Sequence, residues 1–267
     1  MLKRLIKLLL PNEVFKLVTA VYIRLIKRDS PKRTSPVVVG PINCVVSYNH
    51  YGAFCVPKDS MDRPAAQVIL RGKVWEEGTI ARIIGRKNPG DIIHAGTYFG
   101  DFLPALSRAC TEEERVWAFE PVKQHYDCAN ITLILNNISN CSLIHGGLGS
   151  SSGIDQIVIK DKYGNHLGGS SRFVNDSNGL DTEATQSAEI FAIDLVVPSD
   201  RPVSAIHLDI EGFEQEALAG AAKTIARNLP LIILETVPNE KWLDDNLFCL
   251  GYKEIETVMG NTVFEVS

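Results

Sequence analysis

The chain has 267 residues, of which 45% are hydrophobic and 22% are charged, and its mean hydropathy is +0.02. These values are typical of a globular protein and exclude a disordered or fibrous chain. The length suits one large domain with appendages and a sizeable core.

The charge is unevenly distributed along the chain. Residues 1–33 contain nine Lys or Arg and two acids, a net charge of +7, whereas the other 18 basic and 30 acidic residues give −12. An acidic body argues against a nucleic-acid partner. The six cysteines form no C-x-x-C pair and the six histidines are scattered. We therefore expect reduced thiols in a cytoplasmic protein, and we assign no metal ligand.

Residues 1–28 alternate basic and apolar side chains, and Pro11-Asn12 divides them into two pieces of helical spacing. No apolar run approaches the ~20 residues that span a bilayer. No cleavage site follows an uninterrupted apolar core, so a signal peptide is not expected. Two interpretations stay open: a peripheral contact with the inner face of a membrane, and, with greater weight, a helix that covers the catalytic domain or a dimer partner. We take residues 1–41 as this helical segment and its linker.

The rest of the chain, 42–267, is expected to form one domain. A hairpin within 42–56 and one or two helices within 65–84 precede a regular part that begins at residue 89. Strands are expected at 91–95, 116–119, 142–145, 205–208 and 231–234, helices at 102–110, 122–136, 214–228 and 240–250, and a terminal hairpin at 252–258 and 263–266. Residues 150–202 break the rhythm and are interpreted as a β-hairpin insertion, with arms at 157–159 and 190–197 around a polar loop at 164–179. Alternating strands and helices predict a doubly wound α/β sheet.

Two segments near the start of this regular part suggest a bound nucleoside. The first strand ends in a loop that holds Gly96 and Gly100, and the second ends at Glu120-Pro121. Glycine lets a backbone approach a ligand closely, and an acid at the end of the next strand is placed to accept ribose hydroxyls. A plain tight turn and a solvated acid would use the same residue types, but the spacing of the two segments favours the nucleoside.

A third strand end carries two acids, in the run His207-Leu-Asp-Ile-Glu-Gly212. Asp209 and Glu211 are expected at the edge where open α/β sheets bind ligands, and they can share a proton, bind a cation or act as a base. Stabilisation of the next helix is the competing role for these acids. His207 is either a base near neutral pH or a satisfied core histidine. With His94, Glu120 and Glu235, ionisable groups are expected at four strand ends on one edge.

These motifs together resemble FkbM-type methyltransferases, which use S-adenosylmethionine on a Rossmann-like fold. The matching segments run in family order over roughly residues 50–266, and they include Gly72–Glu76, His94–Asp101, Ala118–Pro121, Asn136, Gly147–Gly149, Ala192–Leu195, His207–Glu214, Gly220-Ala221 and Ile233–Glu235. The family usually has Asp-x-Gly-Ala-Asn-x-Gly in the first loop, where this chain has His94 and Tyr98. It usually has Lys-x-Asp-x-Glu-Gly in the later motif, where this chain has His207.

The resemblance implies a class I methyltransferase fold, a doubly wound seven-stranded sheet with an antiparallel last strand. It implies S-adenosylmethionine as cofactor and methyl transfer, usually to a hydroxyl, so we expect an S-adenosylmethionine-dependent O-methyltransferase. The expected cofactor-binding residues are Gly96, Thr97, Tyr98, Gly100, Asp101, Glu120, Pro121, Gly147 and Leu148. The expected catalytic residues are Asp209, His207 and Glu211, with Asp209 or His207 as the base.

Other functions stay open at this point. An NAD(P)-dependent oxidoreductase shares the strand, loop and acid but requires G-x-G-x-x-G, and Tyr98 stands where the second glycine would be. A non-catalytic Rossmann-like binding protein is the second alternative, favoured by His94, Tyr98 and His207. The acceptor is expected to be a small polar molecule or a glycan, and the sequence does not define it further.

Overall fold

A computed structural model describes residues 42–161, 163–173 and 185–266. The basic segment and linker at 1–41 lie outside the described residues, as do residues 174–179 of the polar loop. Among the helices that are described, none combines the length and apolarity needed to span a bilayer.

The centre of the domain is a seven-stranded sheet, which confirms the predicted fold class. Its strands are β3 (Asp91–Ala95), β4 (Val116–Glu120), β5 (Cys141–His145), β10 (Val203–Leu208), β11 (Leu231–Leu234), β12 (Tyr252–Val258) and β13 (Asn261–Val266). Their order is β12-β13-β11-β10-β3-β4-β5. In this spatial order the five neighbouring strands β11, β10, β3, β4 and β5 are parallel. β13, the last strand of the chain, is antiparallel to β11.

The apolar runs explain why the central strands are buried. Every residue of β3, β10 and β11 is buried, as expected for a parallel sheet that helices cover on both faces. Ile92 and Ile93 are neighbours in β3 but pack into different hydrophobic clusters. Successive residues of a strand point to opposite faces, so each face of the sheet has a core of its own.

The helices that cover the sheet are α1 (Pro64–Leu70), α2 (Glu77–Ile84), α3 (Leu103–Arg108), α4 (Lys123–Leu135), α5 (Ile193–Val196), α6 (Glu214–Ala219), α7 (Ala222–Asn228) and α8 (Glu240–Asn246). From β3 the chain runs one way to β4 and β5, and the later strands β10 and β11 lie on the other side of β3. The order therefore reverses between β3 and β10. Open α/β sheets bind ligands at the carboxyl ends of the strands beside such a reversal.

An N-terminal hairpin, β1 (Cys44–Asn49) and β2 (Gly52–Pro57), packs against α4. Asn136, one of the residues that match the family, holds the two together. Its side chain accepts from the backbone N–H of Ala53 at 3.0 Å and donates to the carbonyl oxygens of Ala53 at 2.6 Å and Thr132 at 2.7 Å. The role of Asn136 here is structural.

The insertion forms a second sheet in the order β6-β9-β7-β8, made of β6 (Gly147–Leu148), β7 (Gly153–Val158), β8 (Arg172–Phe173) and β9 (Thr185–Phe191). β7 and β9 are antiparallel, as the predicted hairpin requires. The arms differ from the expected 157–159 and 190–197: the first begins at Gly153, and the second starts at Thr185 and ends at Phe191, because the chain turns into α5 at Ile193. The Asp194 carboxylate then accepts from the backbone N–H groups of Lys223 and Thr224, which caps α7.

The helix expected at 214–228 is in fact two helices, α6 and α7, which break at Gly220-Ala221. A Cβ at Gly220 would lie 2.1 Å from the carbonyl oxygen of Gly149, and the Gly220 oxygen accepts from Asp194 N at 2.9 Å. The close approach of the β6 segment requires glycine and interrupts the helix, a tertiary constraint that periodicity cannot reveal. The helix expected at 240–250 likewise ends at Asn246 and is followed by a 3-10 turn, Phe248–Leu250.

Candidate active site

The loop after β3 has an unusual backbone. Gly96, Tyr98 and Gly100 have φ values of +83°, +50° and +84°. Left-handed conformations suit glycine, and among other residues they suit asparagine best. The family's usual Asn at position 98 therefore has a conformational reason, and Tyr98 adopts the same conformation at a steric cost. A Cβ at Gly96 would lie 1.8 Å from the carbonyl oxygen of Asp209, so β10 also requires glycine there.

Glu120, at the end of β4, fixes this loop. Its Oε2 accepts from the backbone N–H of Tyr98 at 2.6 Å, and its Oε1 accepts from that of Val122 at 2.8 Å. The side chain of His125 lies close by, with Nδ1 at 3.5 Å from Oε1. The residue is 4% exposed. A carboxylate oxygen has two lone pairs, so Glu120 keeps acceptor capacity for a ligand.

Two adjoining cavities lie at this edge of the sheet. The first cavity, about 40 Å³, is lined by residues that include Glu120, Leu148, Ile157 and Phe173. The second cavity, about 300 Å³, is lined by residues that include Glu76, Asp101, His207, Glu211 and Glu235. Gly96, Tyr98, Gly169 and Asp209 border both. The loop and Asp209 thus separate an apolar compartment with one acid from a wider polar compartment.

Part of the insertion covers both cavities. Gly169 lines both, and a Cβ at Gly168 would lie 3.0 Å from the hydroxyl oxygen of Tyr98. Arg63 holds this segment, because its Nε donates to the carbonyl oxygen of His166 at 3.0 Å. The insertion is therefore part of the site and not a peripheral appendage.

His94 and His207 form a buried pair on adjacent strands. They are partners in the β3–β10 register, their Nδ1 atoms lie 2.9 Å apart and each residue is 1% exposed. Burial lowers the pKa of His207 to about 4. Burial, together with the neighbouring ring of His207, also holds the pKa of His94 well below its usual range. Both rings are then neutral at pH 7, and one Nδ1–H donates to the other Nδ1. His94 and His207, two of the three departures from the family motifs, are therefore one structural unit.

Three carboxylates meet at the mouth of β10 and β11. Oxygens of Asp209, Glu211 and Glu235 all lie within 4.8 Å of one another. Burial, and then the charge of Glu235, raises the pKa of Asp209 well above its usual range and raises the pKa of Glu211 as well. Glu211 is itself in the left-handed region, with φ +57°. The Glu211 carboxylate thus belongs to the same cluster as Asp209.

Comparison with known families decides the identity of the domain. The family model described as Methyltransferase FkbM domain matches residues 94–258, more than half of the chain. The chain belongs to the FkbM methyltransferase family. No curated protein matches it.

Solved structures that resemble this FkbM domain are distant in sequence. A methyltransferase FkbM from Methylobacillus flagellatus KT is 16% identical with a TM-score of 0.46, and the match covers 66% of this chain and 43% of that one. The M. jannaschii protein TYW2, solved in complex with AdoMet, is 11% identical with a TM-score of 0.42, covering 86% and 90%. A SAM-dependent methyltransferase from Aquifex aeolicus is 12% identical with a TM-score of 0.40, covering 78% and 96%. The chain spans less than half of the Methylobacillus protein.

The structure distributes the residues predicted for the FkbM site between the two cavities. Six of the predicted cofactor-binding residues line the first cavity: Gly96, Tyr98, Glu120, Pro121, Gly147 and Leu148. Asp101, His207, Asp209 and Glu211 line the second, and Gly96, Tyr98 and Asp209 line both. Thr97 and Gly100 line neither: Thr97 is 0% exposed, and Gly100 packs against Leu103 and Ala129. These two residues belong to the loop but lie on its side away from the cavities. The binding and catalytic roles stay predictions.

The sequence does not predict that three further side chains, those of Glu235, Glu76 and Phe173, belong to the FkbM site. Glu235 was recognised as a strand-end acid, and it proves to be part of the carboxylate cluster. Glu76 belongs to a matching motif, lines the second cavity and accepts from Thr79 and Asn261. Phe173 faces the first cavity from the insertion. The polar, glycine-rich sequence around Phe173 carries no signal that would place an aromatic ring there.

The lining of the first cavity fits the adenosine part of the family's cofactor. Glu120 offers free lone pairs beside a glycine loop, and Leu148, Ile157 and Val122 offer apolar walls. The volume of about 40 Å³ holds about three waters, which is less than a nucleoside needs. The ring of Phe173 lines this cavity and packs against Gly147, since a Cβ at Gly147 would lie 2.3 Å from it. The chemistry of the lining residues fits the group, and Phe173 borders the space that would hold it.

We expect Asp101→Asn to change how stability depends on pH. Burial, with a contribution from Glu76, raises the pKa of Asp101 from 3.8 to about 7. The folded state then binds the proton more tightly than the unfolded state, so this group makes stability fall as pH rises from about 4 to about 7. The variant is expected to match the wild type near pH 4 and to be more stable at pH 8, by on the order of 4 kcal/mol.

Urea unfolding at several pH values measures this difference. Asp244→Asn is the control, because Asp244 is exposed on α8. Parallel pH profiles for the wild type and Asp101→Asn would show that Asp101 is ionised in the folded protein at neutral pH.

Proposed function

We propose that the protein is an S-adenosylmethionine-dependent methyltransferase that methylates a hydroxyl group of a sugar, a glycan or another small polar acceptor. The observation that carries this proposal is the pair of cavities that meet at Gly96, Tyr98 and Asp209. A methyl donor in the first cavity and an acceptor in the second would meet at that boundary.

The cofactor would be held mainly by the β3 loop and the end of β4. Glu120 would accept hydrogen bonds from the ribose hydroxyls, and the loop Gly96–Gly100 would face the methionine part. The segment at Gly147 and Leu148 would flank the adenine. When bound, S-adenosylmethionine supplies a methyl group on a sulfonium, which already has a good leaving group. The protein must then position the acceptor oxygen in line and accept its proton.

Asp209 is the base that the geometry favours, because it borders both cavities. When the acceptor oxygen takes the methyl group that the cofactor would supply, the Asp209 carboxylate would accept the hydroxyl proton. The methyl ether, S-adenosylhomocysteine and the protonated acid would then be left. His207 suits a positioning role better, since its Nδ1 is committed to His94 and its ring is buried. Glu211 would orient the acceptor.

The wall of the second cavity supports a polar acceptor. Five carboxylates line it, those of Glu76, Asp101, Asp209, Glu211 and Glu235. Acid oxygens accept hydrogen bonds, so they suit a molecule that presents many donors, such as a polyhydroxylated one. An acceptor with a phosphate or carboxylate next to the methylated group would meet like charge and is disfavoured.

Calorimetry tests the proposal directly. We expect the full-length protein to bind S-adenosylmethionine and S-adenosylhomocysteine with one site each and not to bind NAD. Asp209→Asn is expected to keep this binding and to lose methyl transfer to a panel of glycosides. Binding of NAD alone would favour an oxidoreductase, binding of none of the three would favour a non-catalytic protein, and full turnover by Asp209→Asn would remove the base assignment.

A further inference from the structure

The carboxylate cluster at the mouth of β10 and β11 has no counter-charge that neutralises it in the part of the chain that is described. The charge of Arg172 acts on Glu211 but offsets only part of the effect of burial and of Glu235, which together raise its pKa. Arg63 lines the same cavity and already donates to the carbonyl oxygen of His166. The oxygens of Asp209, Glu211 and Glu235 nevertheless lie within 4.8 Å of one another. Three acids held this close repel one another unless protons or a cation lie between them.

The spacing of these oxygens matches the coordination sphere of one ion. Two oxygens on opposite sides of an ion are about 4.2 Å apart for Mg²⁺ and about 4.6–5.2 Å apart for Ca²⁺, twice the usual metal–oxygen distances. A separation of at most 4.8 Å therefore suits one oxygen-ligated cation with little movement. Three carboxylates cover part of such a sphere, so further positions stay open to water or to a ligand.

A second observation points to a ligand in the same cavity. The Nε2 atom of His94 is fully buried and has no hydrogen-bond partner among the described residues. The ring of His207 is buried too, and the side chain of Asn261 interacts with it. Both side chains line the second cavity, and His207 precedes Asp209 by two residues, which places both side chains on one face of the strand. Buried polar atoms without partners are costly. They are therefore expected where a ligand completes the site.

We propose that Asp209, Glu211 and Glu235 bind one divalent cation that prefers oxygen ligands, and that this ion holds hydroxyl oxygens of the acceptor in the second cavity. The second clause rests on the proposed function, and the first does not. Carboxylate oxygens suit Mg²⁺, Mn²⁺ and Ca²⁺ and not the softer metals. An ion here would also orient the acceptor oxygen and favour loss of its proton.

Manganese tests the site without any acceptor. We expect the metal-free full-length protein to take up about one Mn²⁺ per chain, read from the loss of the free Mn²⁺ electron paramagnetic resonance signal. Mg²⁺ should compete. Glu235→Gln and Asp209→Asn should each weaken Mn²⁺ binding by about tenfold or more. Glu235 is exposed, so its replacement does not threaten the fold. Asp244→Asn, at an exposed acid outside the cavity, should bind Mn²⁺ like the wild type.

The outcomes for the ion and for the proposed function are separable. Absence of Mn²⁺ binding, or equal binding by the wild type and both cluster variants, overturns the ion site. If S-adenosylhomocysteine still binds in that case and transfer proceeds in EDTA, the methyltransferase proposal stands and the cluster serves a cationic acceptor group or a shared proton. If Mn²⁺ binds as expected but S-adenosylhomocysteine does not, the ion site stands and the proposed function fails.

Discussion

Glu120→Ala is expected to weaken binding of S-adenosylhomocysteine by about a hundredfold or more. The substitution removes the proposed acceptor for the ribose hydroxyls, and a hydrogen bond to a charged group contributes about 1.5–3 kcal/mol. It also leaves the buried N–H groups of Tyr98 and Val122 without their acceptor, so the loop loses its position. Since a factor of a hundred in affinity is about 2.7 kcal/mol, either loss alone approaches the expected effect.

Two measurements separate these contributions of Glu120. Calorimetry gives the affinity, and urea unfolding followed by tryptophan fluorescence gives the free energy of unfolding without ligand. Glu189→Ala is the matched control, because Glu189 lies on β9 of the neighbouring sheet with an exposed side chain. If Glu120→Ala lost stability but bound S-adenosylhomocysteine like the wild type, Glu120 would only shape the loop, and the ribose would be held elsewhere.

Gly96→Ala is expected to lower the free energy of unfolding by about 2–5 kcal/mol. A left-handed backbone costs a non-glycine residue about 1–2 kcal/mol, and overpacking a closed site adds about 1–3 kcal/mol. The new Cβ would lie 1.8 Å from the carbonyl oxygen of Asp209. The end of β10 must therefore move, which displaces the proposed base and the boundary between the two cavities.

Gly164→Ala is the matched control for this strain. Gly164 has the same φ of +83°, but nothing lies within 4 Å of a Cβ built there. The Gly164→Ala variant should therefore lose only the conformational part of the unfolding free energy, about 1–2 kcal/mol. Urea unfolding of both variants checks the difference, and failure of Gly96→Ala alone to fold agrees with it. Equal losses of unfolding free energy in the two variants would mean that the end of β10 moves at little cost, and that β3 and β10 are not tightly packed at Gly96.

The two histidines show how adjacent strands couple distant positions. A family that places Asp at position 94 and Lys at position 207 would have opposite charges at the same two points of the register. Here a neutral hydrogen-bonded pair stands in their place, with Nδ1 atoms 2.9 Å apart. Each histidine is therefore the partner of the other, as the family's Asp and Lys would be, and neither substitution can be interpreted alone. Replacing His207 by Lys without restoring Asp at position 94 should leave a buried, unpaired charge.

The sequence by itself determined the fold class and most of the elements. Apolar runs such as 231–234 reveal buried parallel strands because a strand covered on both faces has no polar side. The glycine loop and Glu120 predict a nucleoside site because the backbone geometry of such a site restricts the residue types. The terminal hairpin was evident from a short polar turn, and Met259 and Gly260 do adopt left-handed conformations there. All of these signals are local in sequence.

Only the tertiary structure decided which distant groups meet. The break at Gly220 depends on the approach of Gly149, 71 positions away in the chain, and the His94–His207 pair depends on the register of β3 and β10. The meeting of Glu235 with Asp209 and Glu211 depends on the order of β10 and β11 and on the turn at Glu211. Contacts of this kind arise from strand order and packing, which short-range patterns of hydrophobicity and turn residues do not encode.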